Sequence, residues 1–224
     1  INTLKSGSIG TINALGISKR HNAKFFLAST SEIYGDPEVS PQSENYWGNV
    51  NTLGPRSMYD ESKRFAESAV HAYVQTHGIT GNIARIFNTY GPNMKINDGR
   101  VVTNFIHQAL HGNDITIYGT GEQTRSFSYI EDTVNGILKI MTNSNSDVFN
   151  VGNDNEISIK YLAEKILELT NSNSKIIYKD LPKDDPKQRK PDLTKIKNKF
   201  NYEPMFSLEE GLKITINWVK KNYK

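Results

Sequence analysis

The chain has no cysteine, so neither a disulfide framework nor a thiolate metal site is possible. Its five histidines, His21, His71, His77, His107 and His111, form no H-E-x-x-H or related pattern. His107 and His111 are one helical turn apart without an evident carboxylate beside them, so no metal is expected. No apolar run approaches the ~20 residues that a membrane-spanning helix needs. No Asn-x-Ser/Thr sequon occurs and no signal-peptide pattern opens the sequence, so the expected compartment is the cytoplasm. Arginine is scarce, 7 against 20 lysines, and the net charge is only +3. The lysines crowd the last third among Asp and Glu with no basic–aromatic stripe, which reads as a solvated surface and not a nucleic-acid site.

Against these absences stands Tyr59 with Lys63, in the run Ser57-Met58-Tyr59-Asp60-Glu61-Ser62-Lys63-Arg64. Residues four apart share a helix face. An ammonium beside a phenol stabilises the phenolate, which makes a proton acceptor for a hydroxyl losing hydride to a nicotinamide. Spacing alone is weak: 11 Tyr and 20 Lys in 224 residues give roughly one Tyr-x-x-x-Lys by chance. Tyr161 and Lys165 repeat the spacing within an ordinary amphipathic helix that Ser158 caps, and read as a solvated face.

Context separates the two pairs. Residues 8–21 have helical periodicity, with Ile9, Ile12, Leu15 and Ile17 recurring. Lys24–Ala28 is a short apolar run of the kind buried in parallel sheets, and it ends in Ser29-Thr30-Ser31-Glu32. After a polar loop, a helix is predicted over 57–76, closed by Gly78. A second buried strand, Asn82–Phe87, runs into Asn88-Thr89-Tyr90-Gly91-Pro92. Strand, helix and strand therefore alternate, and an α/β fold with a Rossmann-like parallel sheet is expected. Beyond residue 92 the spacing predicts helices at 101–111, 133–142 (capped by Asp132), 159–170, 193–200 and 208–222, the last opened by a Ser207-x-x-Glu210 capping box. Short strands are predicted at 115–118, 125–130, 148–151 and 176–178, with a charged loop over 180–191. The division expected is residues 1–92 as a partial dinucleotide-binding domain and 93–224 mainly as a small α+β substrate lobe, with about 120–150 returning to the main sheet. Ligands of open α/β sheets sit at the carboxyl ends of strands, which is where Ser29–Glu32 and Asn88–Thr89 fall.

With these segments in view, the chain resembles the extended short-chain dehydrogenases/reductases that act on nucleotide sugars, and among them the UDP-glucuronate decarboxylases. The likeness runs through Leu27–Pro37, Tyr46–Asn51, Gly54-Pro55-Arg56, Tyr59–Arg64, Ala84–Pro92, Asn97–Val102, Gln123–Phe127, Asp184-Asp185-Pro186, Arg189–Asp192 and Tyr202-Glu203-Pro204. It implies oxidation of the glucuronosyl C4 on tightly held NAD, loss of CO2 from the 4-keto sugar, and re-reduction to UDP-xylose. Tyr59 would be the base, with Lys63 and the Thr30 hydroxyl assisting; Tyr59, Lys63, Ser29 and Thr89 would line the NAD site. Related 4,6-dehydratases carry an Asp-Glu pair after this Thr. Here the first of the pair is Ser31, which cannot serve as that acid and favours decarboxylation. Glu32 would then orient the ring or a water and assist protonation at C5, although Ser29-x-x-Glu32 also reads as a plain capping box.

By the same resemblance Arg100, Val101, Arg125, Arg189 and Asn88 would contact the nucleotide sugar, Arg125 foremost at the diphosphate, since guanidinium forks suit phosphates. Taken singly, each Arg reads more often as a surface ion-pair member than as a ligand contact; Arg85, in strand context, reads as structural. The family's G-x-x-G-x-x-G turn has no counterpart: Gly7-Ser8-Ile9-Gly10 follows no strand and lacks the third Gly. The expectation is a fragment of a decarboxylase that binds NAD poorly alone and forms a homodimer when full length, through a bundle including the Tyr-bearing helix. Epimerase, dehydratase and non-catalytic sugar-nucleotide binding are the alternatives.

Overall fold

In the computed structural model, which describes residues 1–96, 98–143, 145–182 and 186–223, the polypeptide is helical from Asn2 onward. It runs through α1 (Asn2–Lys5), a π-helical stretch at Ser6–Gly10, and α2 (Thr11–His21). Helix therefore begins earlier than the apolar periodicity predicts. Gly7 explains the composition there: a Cβ on it would lie 2.6 Å from the Ser62 Cβ, so the missing side chain is what lets this helix approach the next one.

β1 (Phe25–Thr30) follows, then a 3₁₀ turn at Ser31–Tyr34. The Thr30 hydroxyl caps that turn, accepting from the Glu32 N–H at 3.2 Å. The cap is thus Thr30 and not Ser29, whose hydroxyl is committed elsewhere. Gly35 ends the turn at φ +64°, with its Cβ position occupied by the Asn49 carbonyl oxygen at 1.9 Å, so only glycine fits. α3 (Ser57–His77) crosses to β2 (Gly81–Ile86), which leads into β3 (Thr89–Tyr90). The remaining elements are α4 (Val101–Leu110), β4 (Ile115–Tyr118), β5 (Thr124–Ser126), β6 (Ser128–Tyr129), α5 (Ile130–Asn143), β7 (Val148–Val151), β8 (Glu156–Ser158), α6 (Ile159–Thr170), β9 (Ile176–Lys179), β10 (Gln188–Arg189), α7 (Thr194–Phe200) and α8 (Leu208–Asn222).

The fold is α/β. β1, β2 and β7 form a parallel sheet in that order, with Thr30 opposite Ile86 and Ile86 opposite Val151, so all three carboxyl ends reach one rim. One face buries Leu15, Leu27, Ala66, Ala69, Val70 and Ile83 against α2 and α3; the other buries Ala84, Ile140, Phe149, Ile196 and Tyr202. A larger core around Phe105, Ile106, Ile117, Leu162, Ile166 and Ile216 gathers α4, α6 and α8. Three further small sheets, β10-β5-β8, β3-β6 and β4-β9, frame the region between.

Three local expectations change. The strand read over 125–130 splits at Phe127 into β5 and β6, which join different sheets, and Ile130 already begins α5. Asp132 is not an external cap: it is fully buried in the first turn of α5, and its carboxylate accepts from the Met205 and Phe206 N–H groups at 2.8 and 3.2 Å. The charged loop holds a strand, because β10 pairs with β5 and sets Arg189 beside Arg125. Asn97, Asp184 and Asp185 of the resemblance motifs lie outside the described residues.

Candidate active site

α3 starts just after Gly54-Pro55, with Arg56 as its N-cap residue, and Tyr59 stands in its first turn. The Tyr59 side chain is 39% exposed, open to a cavity of about 890 Å³. One turn on, the Lys63 ammonium lies 5.8 Å from the Tyr59 ring centroid and donates to the Ala28 carbonyl of β1 at 2.8 Å. Partial burial lowers the Lys63 pKa. The other Tyr-x-x-x-Lys pair has a different setting: Tyr161 is exposed on α6, and Lys165 is bound to Glu168 at 2.9 Å and Glu209 at 3.5 Å on the surface.

All twelve residues singled out in the sequence line this one cavity. Ser29, Thr30, Ser31 and Glu32 come from the carboxyl end of β1, and Asn88 and Thr89 from the end of β2. Arg100 and Val101 open α4, while Arg125 and Arg189 come from the paired strands β5 and β10; Tyr59 and Lys63 complete the set. Several of these side chains already have partners. The Ser29 hydroxyl donates to Glu67 at 2.5 Å, and Glu67 is gripped by Arg85, whose Nη2 lies 2.8 Å away. Arg85 also donates to the Tyr34 hydroxyl at 3.0 Å, so it ties β2 to α3 behind the site. The Thr89 hydroxyl donates to the Phe87 carbonyl at 3.0 Å.

Glu32 sits between two guanidiniums, Arg189 and Arg56, the latter at 2.9 Å. Burial alone would raise its pKa, but the two cations outweigh burial and hold its carboxyl below the ordinary range. It is a carboxylate here, able to accept the hydrogen bonds that orient a ring hydroxyl or a water, and it can assist protonation at C5 only after a proton has been delivered to it. Arg189 is 3% exposed; it bonds Glu32 and the Gly35 carbonyl, and its buried Nε has no hydrogen-bond partner among the described residues. Arg125 is 6% exposed and donates to the Thr124 and Pro186 carbonyls at 2.8 and 2.6 Å. Arg100 is mostly exposed, 3.3 Å from Asp98.

Two charged residues of the site were not picked out as functional in the sequence. Arg56 stands in a quoted motif, but its pairing with Glu32 spans a loop that carries no periodic signal. Asp60 also stands in a quoted motif, in the first turn of α3; it is 6% exposed, and its Oδ1 has no hydrogen-bond partner among the described residues. Burial, and then the nearby Glu32 carboxylate, push its pKa up to about 6. Thr116, Tyr118 and Gln123 also line the cavity; Gln123 stands in a quoted motif, while Thr116 and Tyr118 carry no sequence signal beyond their strand.

Such a site can accept a proton at Tyr59 and hold an anionic ligand on its guanidiniums. The family model described as GDP-mannose 4,6 dehydratase matches residues 1–215. The chain is 52% identical over 221 residues to the UDP-glucuronic acid decarboxylase 1 of Xenopus tropicalis, covering 99% of this chain and 52% of that protein. It is 50% identical over 212 residues to the UDP-glucuronic acid decarboxylase 5 of Arabidopsis thaliana, covering 95% and 62% respectively. The chain thus spans about half the length of the curated relatives it matches. Among solved structures it resembles the UDP-glucose 4-epimerase of Thermotoga maritima determined with UDP-glucose, with a TM-score of 0.92 at 29% identity, covering 99% of this chain and 71% of that one. It also resembles the UDP-glucuronic acid 4-epimerase of Bacillus cereus in complex with UDP-glucuronic acid and NAD, with a TM-score of 0.89 at 27% identity, covering 98% and 69%. The chain belongs to the GDP-mannose 4,6-dehydratase family of nucleotide-sugar short-chain dehydrogenases/reductases.

Proposed function

We propose that this chain carries the acid–base and sugar-nucleotide part of an NAD-dependent UDP-glucuronate decarboxylase, which makes UDP-xylose. The observation that carries the reading is the convergence of Tyr59, Lys63 and the Arg125–Arg189 pair on one cavity, in a chain about half identical to UDP-glucuronic acid decarboxylases. Residues 1–92 contribute the catalytic part, and 93–224 mainly the nucleotide-sugar lobe.

The residues fit one end of NAD. Tyr59 and Lys63 suit the nicotinamide ribose at the rim where β1 and β2 end, with Ser29 and Thr89 behind them; the Gly-rich pyrophosphate turn is not among these 224 residues. Bound NAD supplies the hydride acceptor and donor at C4. Tyr59 takes the C4 hydroxyl proton, with Lys63 holding the phenolate charge and Thr30 within the same cavity to orient that hydroxyl. The ketone so formed lies β to the C6 carboxylate. The C5–C6 electron pair moves into the C4 carbonyl, CO2 leaves, and C5 takes a proton. Arg125 and Arg189 face the diphosphate and the sugar carboxylate as guanidinium forks. The exposed apolar residues Met58 and Phe65 on α3, and Ile9 and Ile17 on the helix packed against it, suit a homodimer through this bundle. No helix among the described residues is long and apolar enough to cross a membrane, and a cytoplasmic enzyme suits a chain without cysteine.

Incubating the holoenzyme that contains this chain with UDP-glucuronate tests the reading. Stoichiometric CO2 and UDP-xylose are expected. A C4-epimerised UDP-uronate with no CO2 would make it an epimerase, and binding of UDP-glucuronate without turnover would make it a non-catalytic binder.

A further inference from the structure

Beside the main cavity lies a second one of about 180 Å³, and Glu32, Arg56, Pro186 and Arg189 line both. Only the side cavity is lined by Asp60. Asp60 is more than nine-tenths buried, and its Oδ1 has no hydrogen-bond partner among the described residues. A buried unsatisfied oxygen is costly unless it has a use. It shares its chamber with the carboxylate that reaches the sugar side, and two carboxyls in one site do not ionise equally.

The geometry points to Asp60 as the residue that supplies, through Glu32, the proton that replaces the departing carboxyl group on the sugar ring. This rests on the decarboxylase reading. When the C5–C6 bond breaks, its electron pair is held as the C4 enolate and CO2 departs. Asp60 passes its proton through a water of the side cavity to the Glu32 carboxylate, Glu32 passes one to C5, the enolate becomes the 4-ketone, and Asp60 is reprotonated from solvent, which supplies the one proton that loss of a carboxylate as neutral CO2 takes up. Charge and protons balance over the cycle.

The charged neighbours favour this order. Asp60 faces Glu32 from the turn after β1, Arg56 and Glu61 from its own helix, and Arg189 from β10; Asp36 lines the same side cavity. At rest the two arginines hold Glu32 ionised, while burial and Glu32 raise Asp60 so that below about pH 6 it is the one of the two that carries the proton. A substrate carboxylate competes with Glu32 for those guanidiniums, and each one it draws away makes Glu32 a better proton acceptor. Asp60 does not line the cavity that would hold the sugar, so its part is to load Glu32 and not to touch C5.

The test compares kcat against pH, and CO2 and UDP-xylose yields, for the wild-type holoenzyme, Asp60→Asn and Asp60→Glu. The wild-type kcat should fall as pH rises through the titration of Asp60. Asp60→Asn should lose that limb and drop kcat by about 100-fold with UDP affinity unchanged, and Asp60→Glu should recover most of the rate and the limb. A merely structural residue would shift KM or UDP affinity and leave the shape of the profile alone. CO2 release by Asp60→Asn at the wild-type rate with an unchanged profile overturns the relay while leaving the decarboxylase intact. Absence of CO2 from the wild type overturns both. Should Asp60→Asn not fold, a wild-type kcat that stays flat from about pH 5 to 8 overturns the relay by itself.

Discussion

Glu67→Ala should unfold this chain far more readily than the removal of any surface ion pair. Glu67 and Arg85 side chains are only 13% and 12% exposed, and three guanidinium contacts join them at 2.8 to 3.2 Å. Deleting the carboxylate leaves a guanidinium charge buried between α3 and β2 and frees the Ser29 hydroxyl. Breaking a buried pair from one side costs about 3–5 kcal/mol. In a chain of this size each kcal/mol moves Tm by about 2–4 °C, so a fall of about 6–20 °C is expected. Lys213→Ala, which removes an exposed pair with Glu209 on α8, is the control and should cost about 0–1 kcal/mol. Replacing both partners, Glu67→Met with Arg85→Met, should recover most of the loss, because the penalty is the stranded charge and not the lost attraction. Urea unfolding followed by circular dichroism reads all three. A Glu67→Ala loss below about 1 kcal/mol, or a double variant no better than the single one, would refute the reasoning.

Three other outcomes are expected. Tyr59→Phe should cut turnover by about 10²–10⁴ while UDP affinity, read by calorimetry, stays within about twofold; unchanged turnover removes Tyr59 from proton transfer. Arg125→Lys keeps the charge but loses the planar fork, so UDP affinity should drop about tenfold, or about 1.4 kcal/mol, and equal affinity would place the diphosphate elsewhere. The third concerns stability against pH. Asp60 is raised from 3.8 to about 6 in the fold, so the native state holds its proton more tightly than the unfolded chain. Its charged form is therefore destabilising: stability should decline from about pH 4 to pH 6 by up to about 3 kcal/mol, and Asp60→Asn should remove that decline. Urea midpoints with equal pH slopes in the two proteins would contradict it.

The parts of the site that were legible in the sequence share one property: local pattern determines them. The apolar run ending at Ser29, the periodicity of α3 and the second run ending at Phe87 place hydroxyls, Tyr59 and Lys63 at strand ends and on a helix face. What stayed hidden depends on distant chain. Asp132 satisfies N–H groups at residues 205 and 206, so nothing near it in sequence tells a buried bracket from an exposed cap. The split between β5 and β6 follows from pairing with β10 on one side and β3 on the other. The pairing of Arg56 and the burial of Asp60 likewise follow only from the turn carrying Glu32 being set against the start of α3.

The same distinction bears on the two Tyr-x-x-x-Lys pairs. Identical helical spacing gives identical local geometry, so the difference in chemistry has to come from what each lysine meets. Lys165 meets two surface carboxylates, which raise its pKa and occupy its charge. Lys63 meets the Ala28 carbonyl, burial lowers its pKa, and with no carboxylate paired to it among the described residues its charge lies beside the Tyr59 ring. Glu67, the acid one further turn along α3, could have disturbed that balance, but Arg85 and Ser29 occupy it. The buried Arg85–Glu67 pair thus does two things at once: it joins β2 to α3, and it keeps a nearby carboxylate engaged away from the lysine that lies beside the Tyr59 ring.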